Sequence, residues 1–371
     1  MARFDFVKAF YKSPHQRDNI VAEIDAVLSS RPRKLQVTAI PFSTGDSPIS
    51  LFVARAKQHR KILLLASWPG LDFCELRYSF KSGDTEQSGK GRFFVYHHPD
   101  YPNVYIAITL DAGIFLSKGL RPFLRGLFPH IVVGFIPHAR LRRMLRGFKE
   151  ENQFSELIIT RAAERWRLPE EGTHRRVMSL VKWPGMALGE ALDQLVEHNA
   201  WFQSLQFEAK RIDFTAVRDS FARDGECRCD YHFEQVFRGF IQPACKIHHE
   251  NFNLFSRRGR RENTNLDVRP LAITFDKAQF EDVEENHRLI AAIRSMRTAS
   301  VSVLHGNPYL CMSVVDYFDG STFDIWVVDD CQLVIVPQLY GSIGAIKRLV
   351  NHIFDSYAEG EVANFAVSPN E

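Results

Sequence analysis

The chain has 371 residues, a formal charge of +3, and a composition that is 45% hydrophobic and 25% charged. This length exceeds what a single core usually serves, so two domains are expected, and the composition excludes a disordered chain. The small net charge makes no demand for an anionic partner, so the distribution of charge carries the information.

The opening MARFDFVKAFYKSPHQRD lacks the apolar run of a signal peptide. The longest apolar stretch, Ile114 to Ile136, contains Lys118, Arg121, Arg125 and two prolines, which does not suit a lipid-spanning helix. The six cysteines (Cys74, Cys227, Cys229, Cys245, Cys311, Cys331) lack the density of a disulfide scaffold. The reading is a soluble cytoplasmic protein with reduced thiols and no membrane partner.

In chain order, the spacing of Ile20, Ile24 and Val27–Leu28 predicts an amphipathic helix over Arg17–Ser29. Strands are expected at Lys34–Phe42, Ile49–Ala56, Lys61–Ser67, Phe73–Phe80, Arg92–His97 and Val104–Leu110, separated by turn signals such as STGDSP and KSGD. The alternation in FCELRYSF predicts a half-buried antiparallel strand. His130–Ile136 reads as a buried strand. Pro137 then opens a helix to Lys149, with Leu141, Met144, Leu145 and Phe148 on one face.

A strand comes next at Leu157–Thr160. The segment Leu168–Arg175 (LPEEGTHR) has no large apolar residue after Leu168 and is the expected domain boundary. Beyond it come a strand Val177–Lys182, a helix from Leu188 to Phe202 and a strand Leu205–Ala209. Leu271–Phe275 is expected as a strand and Phe280–Met296 as a helix. A meander closes the chain: Cys311–Tyr317, a hairpin signal at Asp319-Gly320, Thr322–Val328 and Leu333–Val336. Ser342 caps a last helix that Gly360 ends.

The predicted fold class is α+β in two domains, each a mainly antiparallel sheet with packed helices. Residues 1–168 form a β-rich domain ending in a basic helix region. Residues 175–371 form a domain holding the Cys/His-arginine segment and the terminal meander plus helix.

The Cys/His group consists of Cys227, Cys229 and His232, then Cys245, His248 and His249. Four such ligands in two close pairs can hold structural zinc, but C-x-C is tighter than the usual C-x2-C. The expectation is therefore a strand-turn-strand with buried cysteines, exposed histidines and no cofactor, structural zinc being the alternative. A His-His pair before asparagines and arginines also fits a ββα-metal nuclease, yet SRRGRRENTN reads as a loop where that chemistry needs a helix. Glu208-x-Lys210 resembles the second half of a PD-(D/E)xK nuclease site, with a carboxylate on the metal and a lysine at the water. Its upstream acid would be Asp193 or Glu190, both in a helical pattern.

Two cationic clusters remain. Arg140, Arg142, Arg143, Arg146 and Lys149 occupy the polar face of the helix after Pro137. Arg257, Arg258, Arg260 and Arg261 crowd a glycine-containing loop. Such residues can neutralise phosphates, each contact adding a salt-dependent increment of affinity. The plainer reading of the helix is a solvated face paired with Glu150, Glu151 and Glu156. The expected function is a non-catalytic, nucleic-acid-associated cytoplasmic factor. The alternatives are an interaction or scaffold subunit that docks a partner protein in a multi-protein assembly and, third, a metal-dependent nuclease.

Overall fold

The computed structural model describes residues 7, 9–30, 35–55, 60–83, 85–111, 113–128, 130–166, 179–181, 185–197, 200–211, 214–256, 258, 269–306 and 309–365. The chain divides into two compact units, Met1–Arg165 with Val177–His249, and Trp166–Arg176 with Glu250–Glu371. The expected boundary at Leu168–Arg175 lies outside the described residues. The strands before and after it pair with each other, Ala162 opposite Val181 and Glu164 opposite Ser179, so one sheet runs through both sides of that segment.

The first unit is built on a twelve-stranded sheet. Its strands are β1 (Val37–Ser43), β2 (Arg60–Trp68), β3 (Leu71–Ser82), β4 (Thr85–His97), β5 (Val104–Thr109), β6 (Val132–Val133), β7 (Glu156–Trp166), β8 (Ser179–Val181), β9 (Met186–Ala187), β10 (Ala200–Arg211), β11 (Phe214–Ala222) and β12 (Cys227–Cys229). The order across the sheet is β2-β3-β4-β5-β1-β12-β11-β10-β7-β8, with β6 on β1 and β9 on β7. β1 joins the two halves, pairing antiparallel with β5 on one side and with β12 on the other.

Both faces of the β1, β3, β4 and β5 region are buried. Phe73, Phe94, Ile106 and Ile108 belong to one apolar cluster, together with Ile20, Ile24 and Leu28 of the helix Ile20–Ser30. Cys74, Phe93, Val95 and Ala107 alternate into a second cluster with Phe115, Leu120 and Phe123. The half-buried strand expected at Phe73–Phe80 is thus buried on both sides over Leu71–Leu76. Of the two carboxylates in that stretch, Glu75 is buried beside two guanidinium groups, 3.0 Å from Arg77 Nε and 3.4 Å from Arg92 Nε.

Two expected strands take other forms. Of the strand expected at Ile49–Ala56, the described residues fall in a helix, Pro48–Arg55, whose buried residues Pro48, Leu51 and Phe52 follow i, i+3, i+4 spacing. Proline in the first turn costs nothing there, because that N–H has no helical partner. From His130 to Ile136 only Val132 and Val133 pair, against Ser43 and Phe42. The helix expected to reach Phe202 ends at Glu197, and β10 takes over from Ala200.

The second unit carries a six-stranded antiparallel sheet, ordered β14-β15-β16-β17-β13-β18, from β13 (Leu271–Thr274), β14 (Ala299–His305), β15 (Cys311–Asp316), β16 (Thr322–Asp329), β17 (Gln332–Pro337) and β18 (Glu361–Asn364). The helices Val283–Arg294 and Ile343–Ser356 complete it. The hairpin turns at Gly320, whose φ of +72° lies in the left-handed region that glycine adopts freely. Ser342 caps the last helix as expected, its Oγ accepting from Ala345 N at 3.0 Å. The fold is α+β, and no helix among the described residues is long and apolar enough to cross a membrane.

Candidate nucleic-acid interface

The basic helix spans His138–Glu151 and comes directly after Pro137 as predicted. Its buried residues, His138, Leu141, Met144, Leu145 and Phe148, make a continuous apolar stripe. Phe148 fixes the helix against the sheet, with ring centroids 4.5 Å from Phe240, 5.3 Å from Phe154 and 6.0 Å from Phe207. A methyl group at Gly239 would overlap the Phe148 ring, so glycine admits this close approach.

The N-terminal end is held by a buried arginine. Arg223, 1% exposed, donates from Nε to Ile136 O at 3.2 Å, while Ile136 N donates to Arg223 O at 2.7 Å. Its guanidinium lies 4.2 Å from the Phe135 ring centroid and 5.5 Å from that of Trp201. At the other end Gln153 turns the chain with φ 54°, and Phe154 N returns to Lys149 O at 3.0 Å. Arg211 reaches over from β10, donating to Asn152 O at 3.3 Å and lying above Phe154. A cation at this end complements the negative pole of the helix.

The polar face is not neutralised by its own helix. Arg142, Arg146 and Lys149 follow i, i+4, i+7 spacing, which stacks them in a row about 10 Å long. Arg143 stands beside Arg146 at i, i+3, and Arg143 and Arg146 are exposed. None of these four side chains makes an ion pair or hydrogen bond among the described residues, so Glu150, Glu151 and Glu156 do not close on them. Arg140 sits apart, half-buried on the opposite flank of the apolar stripe.

The second arginine cluster behaves differently. Arg257, Arg260 and Arg261 lie outside the described residues. Arg258, 3% exposed, turns inward and donates to Leu254 O at 2.6 Å, to Arg269 O at 3.0 Å and to Asn364. Burial lowers its pKa to about 10. Its donors are used on the protein's own oxygens, which corrects its expected place among phosphate contacts.

The Cys/His group is split between a strand and a helix, not the strand-turn-strand expected. Cys227 and Cys229 are buried on β12, and exposed His232, in the left-handed region, precedes the helix Phe233–Val236. Cys245, His248 and His249 fall on the helix Gln242–Phe255, so the histidine pair lies inside a helix that continues to Phe255 rather than leading straight into a loop. Cys245 faces the apolar cluster, His248 is buried against Gly134 and not exposed as expected, and His249 stacks on Tyr101 at 5.0 Å between ring centroids. Cys229 Sγ donates to Tyr231 O at 2.8 Å. Burial pushes the thiols of Cys227, Cys229 and Cys245 up. Among the described residues no three His, Cys, Asp or Glu side chains converge as metal ligands.

Strand alternation does put Glu208 and Lys210 on one face of β10, but Glu208 pairs with Arg218 directly across the sheet, with Arg218 Nη2 at 2.6 Å. Asp193 and Glu190 are exposed on the helix Leu188–Glu197.

Two groups had no usable mark in the sequence. Asp72, on β3, accepts from Ser67 Oγ at 2.6 Å and lies 2.8 Å from His97 Nε2 on β4. Burial by itself would raise Asp72, but these two hydrogen bonds outweigh it and hold the carboxyl below the usual range. Asp219, on β11, is buried beside Cys227 and Cys229, and burial pushes its carboxyl well above the ordinary value. Both depend on strand registers that local sequence does not encode. The chain matches no protein-family model and no curated protein.

Proposed function

We propose that the first unit binds a polyanion, with nucleic acid as the ligand class, through the row Arg142, Arg146 and Lys149 with Arg143 beside it. The observation that carries this reading is a firmly docked helix whose four cations have no partner among the described residues. An unpaired guanidinium is hydrated and screened, and a phosphate that displaces condensed counterions gains free energy at that site. The apolar stripe, the Phe148 contacts and the Arg223 clamp supply the preorganisation such a surface needs. Arginine and lysine contacts to phosphates carry no sequence information, so the expected binding is tolerant of sequence.

The role is one of binding, and a partner protein in a larger assembly fits beside it. All six cysteines are free thiols, which suits a reducing compartment such as the cytoplasm.

The test is binding to a duplex and to a single strand across a salt series. Four phosphate contacts predict a slope of log affinity on log salt near −3.6 for duplex DNA, about −0.9 per contact. Arg142→Gln and Arg143→Gln together are expected to flatten the slope by about 2 and weaken all sequences alike. No retention on a polyanion matrix at low salt, or a double variant that binds as the parent does, would sink the reading.

A further inference from the structure

Over β14–β16 the sheet of the second unit is buried on one face and open on the other, whereas over β13 and β17 Ala272 and Val334 bury the second face too. Met312, Val314, Phe323, Ile325, Leu333 and Ile335 are buried. The alternate positions look outward: Leu304 is 65% exposed, Trp326 47%, Val328 42% and Val315 38%. Cys311 lies directly across from Trp326, Ser313 from Asp324, and Val315 from Thr322, so these residues share one face. β14, at the sheet edge, contains no lysine, arginine, carboxylate or proline, the devices by which exposed edges are usually protected. Exposed apolar side chains beside an unprotected edge, with Trp326 at one end of the face and Val315 at the other beyond Ser313 and Asp324, mark an interaction site.

Charge says what kind of partner fits. From Ala299 to Ile346 the sequence has five aspartates and no lysine or arginine. Two of the five are compensated within the unit, because Arg348 reaches Asp316 at 2.6 Å and Asp319 at 3.7 Å. Asp324, two residues from Trp326 on the open face, meets only the amide of Gln338 among the described residues. Among the described residues Asp329 accepts only from Cys331 N, and Asp330 is exposed beside it. Three carboxylates around exposed apolar side chains repel phosphate. They also oppose a second copy, since a two-fold contact through this face would bring Asp324 near its own counterpart. They attract an ammonium or guanidinium group.

From this geometry we infer that the open face of β14–β16 docks an amphipathic helix of another protein, with apolar residues on Trp326 and its neighbours and lysine or arginine at Asp324, Asp329 and Asp330. Tryptophan is the residue type that most often anchors an interface, and the carboxylates set charge specificity and on-rate. This docking face is independent of the cationic helix of the first unit.

The probe is a labelled leucine/lysine amphipathic peptide of roughly 14 residues, about four helical turns, titrated with the full chain and followed by anisotropy. A leucine/glutamate peptide of the same pattern and a lysine-only peptide of equal charge serve as comparisons. The expected result is saturable binding of the leucine/lysine peptide alone. Trp326→Ser should weaken it roughly 30-fold and Asp324→Lys should abolish it, while Arg142→Gln with Arg143→Gln leaves it unchanged. Both substituted positions face outward, and an unaltered thermal transition confirms that each variant is folded. Equal affinity of the parent and both variants would overturn the inference. So would sedimentation showing a dimer that Trp326→Ser dissolves, because the face would then belong to a second copy.

Discussion

The two sheets of this chain use alternation in different ways. In β3 and β4 successive residues enter two separate apolar clusters, so Phe93 and Phe94 are both buried although they point in opposite directions. In β15 and β16 the same alternation buries Met312, Val314, Phe323 and Ile325 and leaves Val315 and Trp326 in water. A strand buried twice has no side chain left for a partner, whereas a strand buried once presents every second residue. In the first unit, surface function therefore falls to the helices around the sheet. In the second it falls to the sheet itself.

Three substitutions sharpen or break this contrast, in order of expected size. Phe148→Ala removes a ring wedged among Phe154, Phe207 and Phe240 and should cost about 3–5 kcal/mol, read as a fall in the denaturant midpoint. A loss near ~1 kcal/mol, well under that range, would mean that the basic helix is loosely seated.

Asp219→Asn tests the buried carboxyl through pH. The folded-state pKa of Asp219 is raised by burial, so its protonated form is favoured in the folded chain. Stability tied to that proton is fully present below the unfolded value of about 3.9 and is lost as pH rises toward the folded value. The variant lacks this dependence. The stability of the parent relative to Asp219→Asn should therefore decline from about pH 4 upward, by at most about 1.4 kcal/mol per pH unit. A flat difference between about pH 4 and pH 7 would show that Asp219 is solvated.

Val315→Ser stands at the small end, with an expected change within about 0.5 kcal/mol, because the side chain already faces water. A loss comparable to that of Phe148→Ala would show the open face to be covered in solution, and the contrast between the sheets would fail.

The sequence was most legible where structure is local. Asp319-Gly320, the Ser342 cap and the Leu141–Phe148 stripe each need only a few neighbouring residues, and each places its element correctly. The partner of β1 on its second side is not local: Val37 pairs with Cys229, and nothing near either residue signals this. That pairing, together with β7 against β8, carries the first unit past the expected boundary.

Short apolar runs are ambiguous for a physical reason, since ISLFVARA satisfies a strand and a helix alike until Pro48 and the i, i+3, i+4 burial decide it. The cation count was legible, but the fate of each cation was not. Arg146 is exposed while Arg223 and Arg258 are buried, because the carbonyls of Ile136 and Arg269 happen to come within reach. Nor could the sequence show that β14–β16 leave one face open while β17 does not, because burial on each face depends on tertiary packing.

The contact between Gly134 and His248 carries a consequence for the history of this chain. Any side chain at 134 would collide with the imidazole, and a side chain at Gly225 would crowd the same ring from a second position. Residues 134 and 248 are therefore not free to drift separately. A lineage that acquires alanine at 134 is expected to shrink 248 in compensation, and one that keeps the histidine keeps the glycine. Paired change at 134 and 248 would thus record, in descendant sequences, how closely the segment leading into the basic helix is held against the helix Gln242–Phe255.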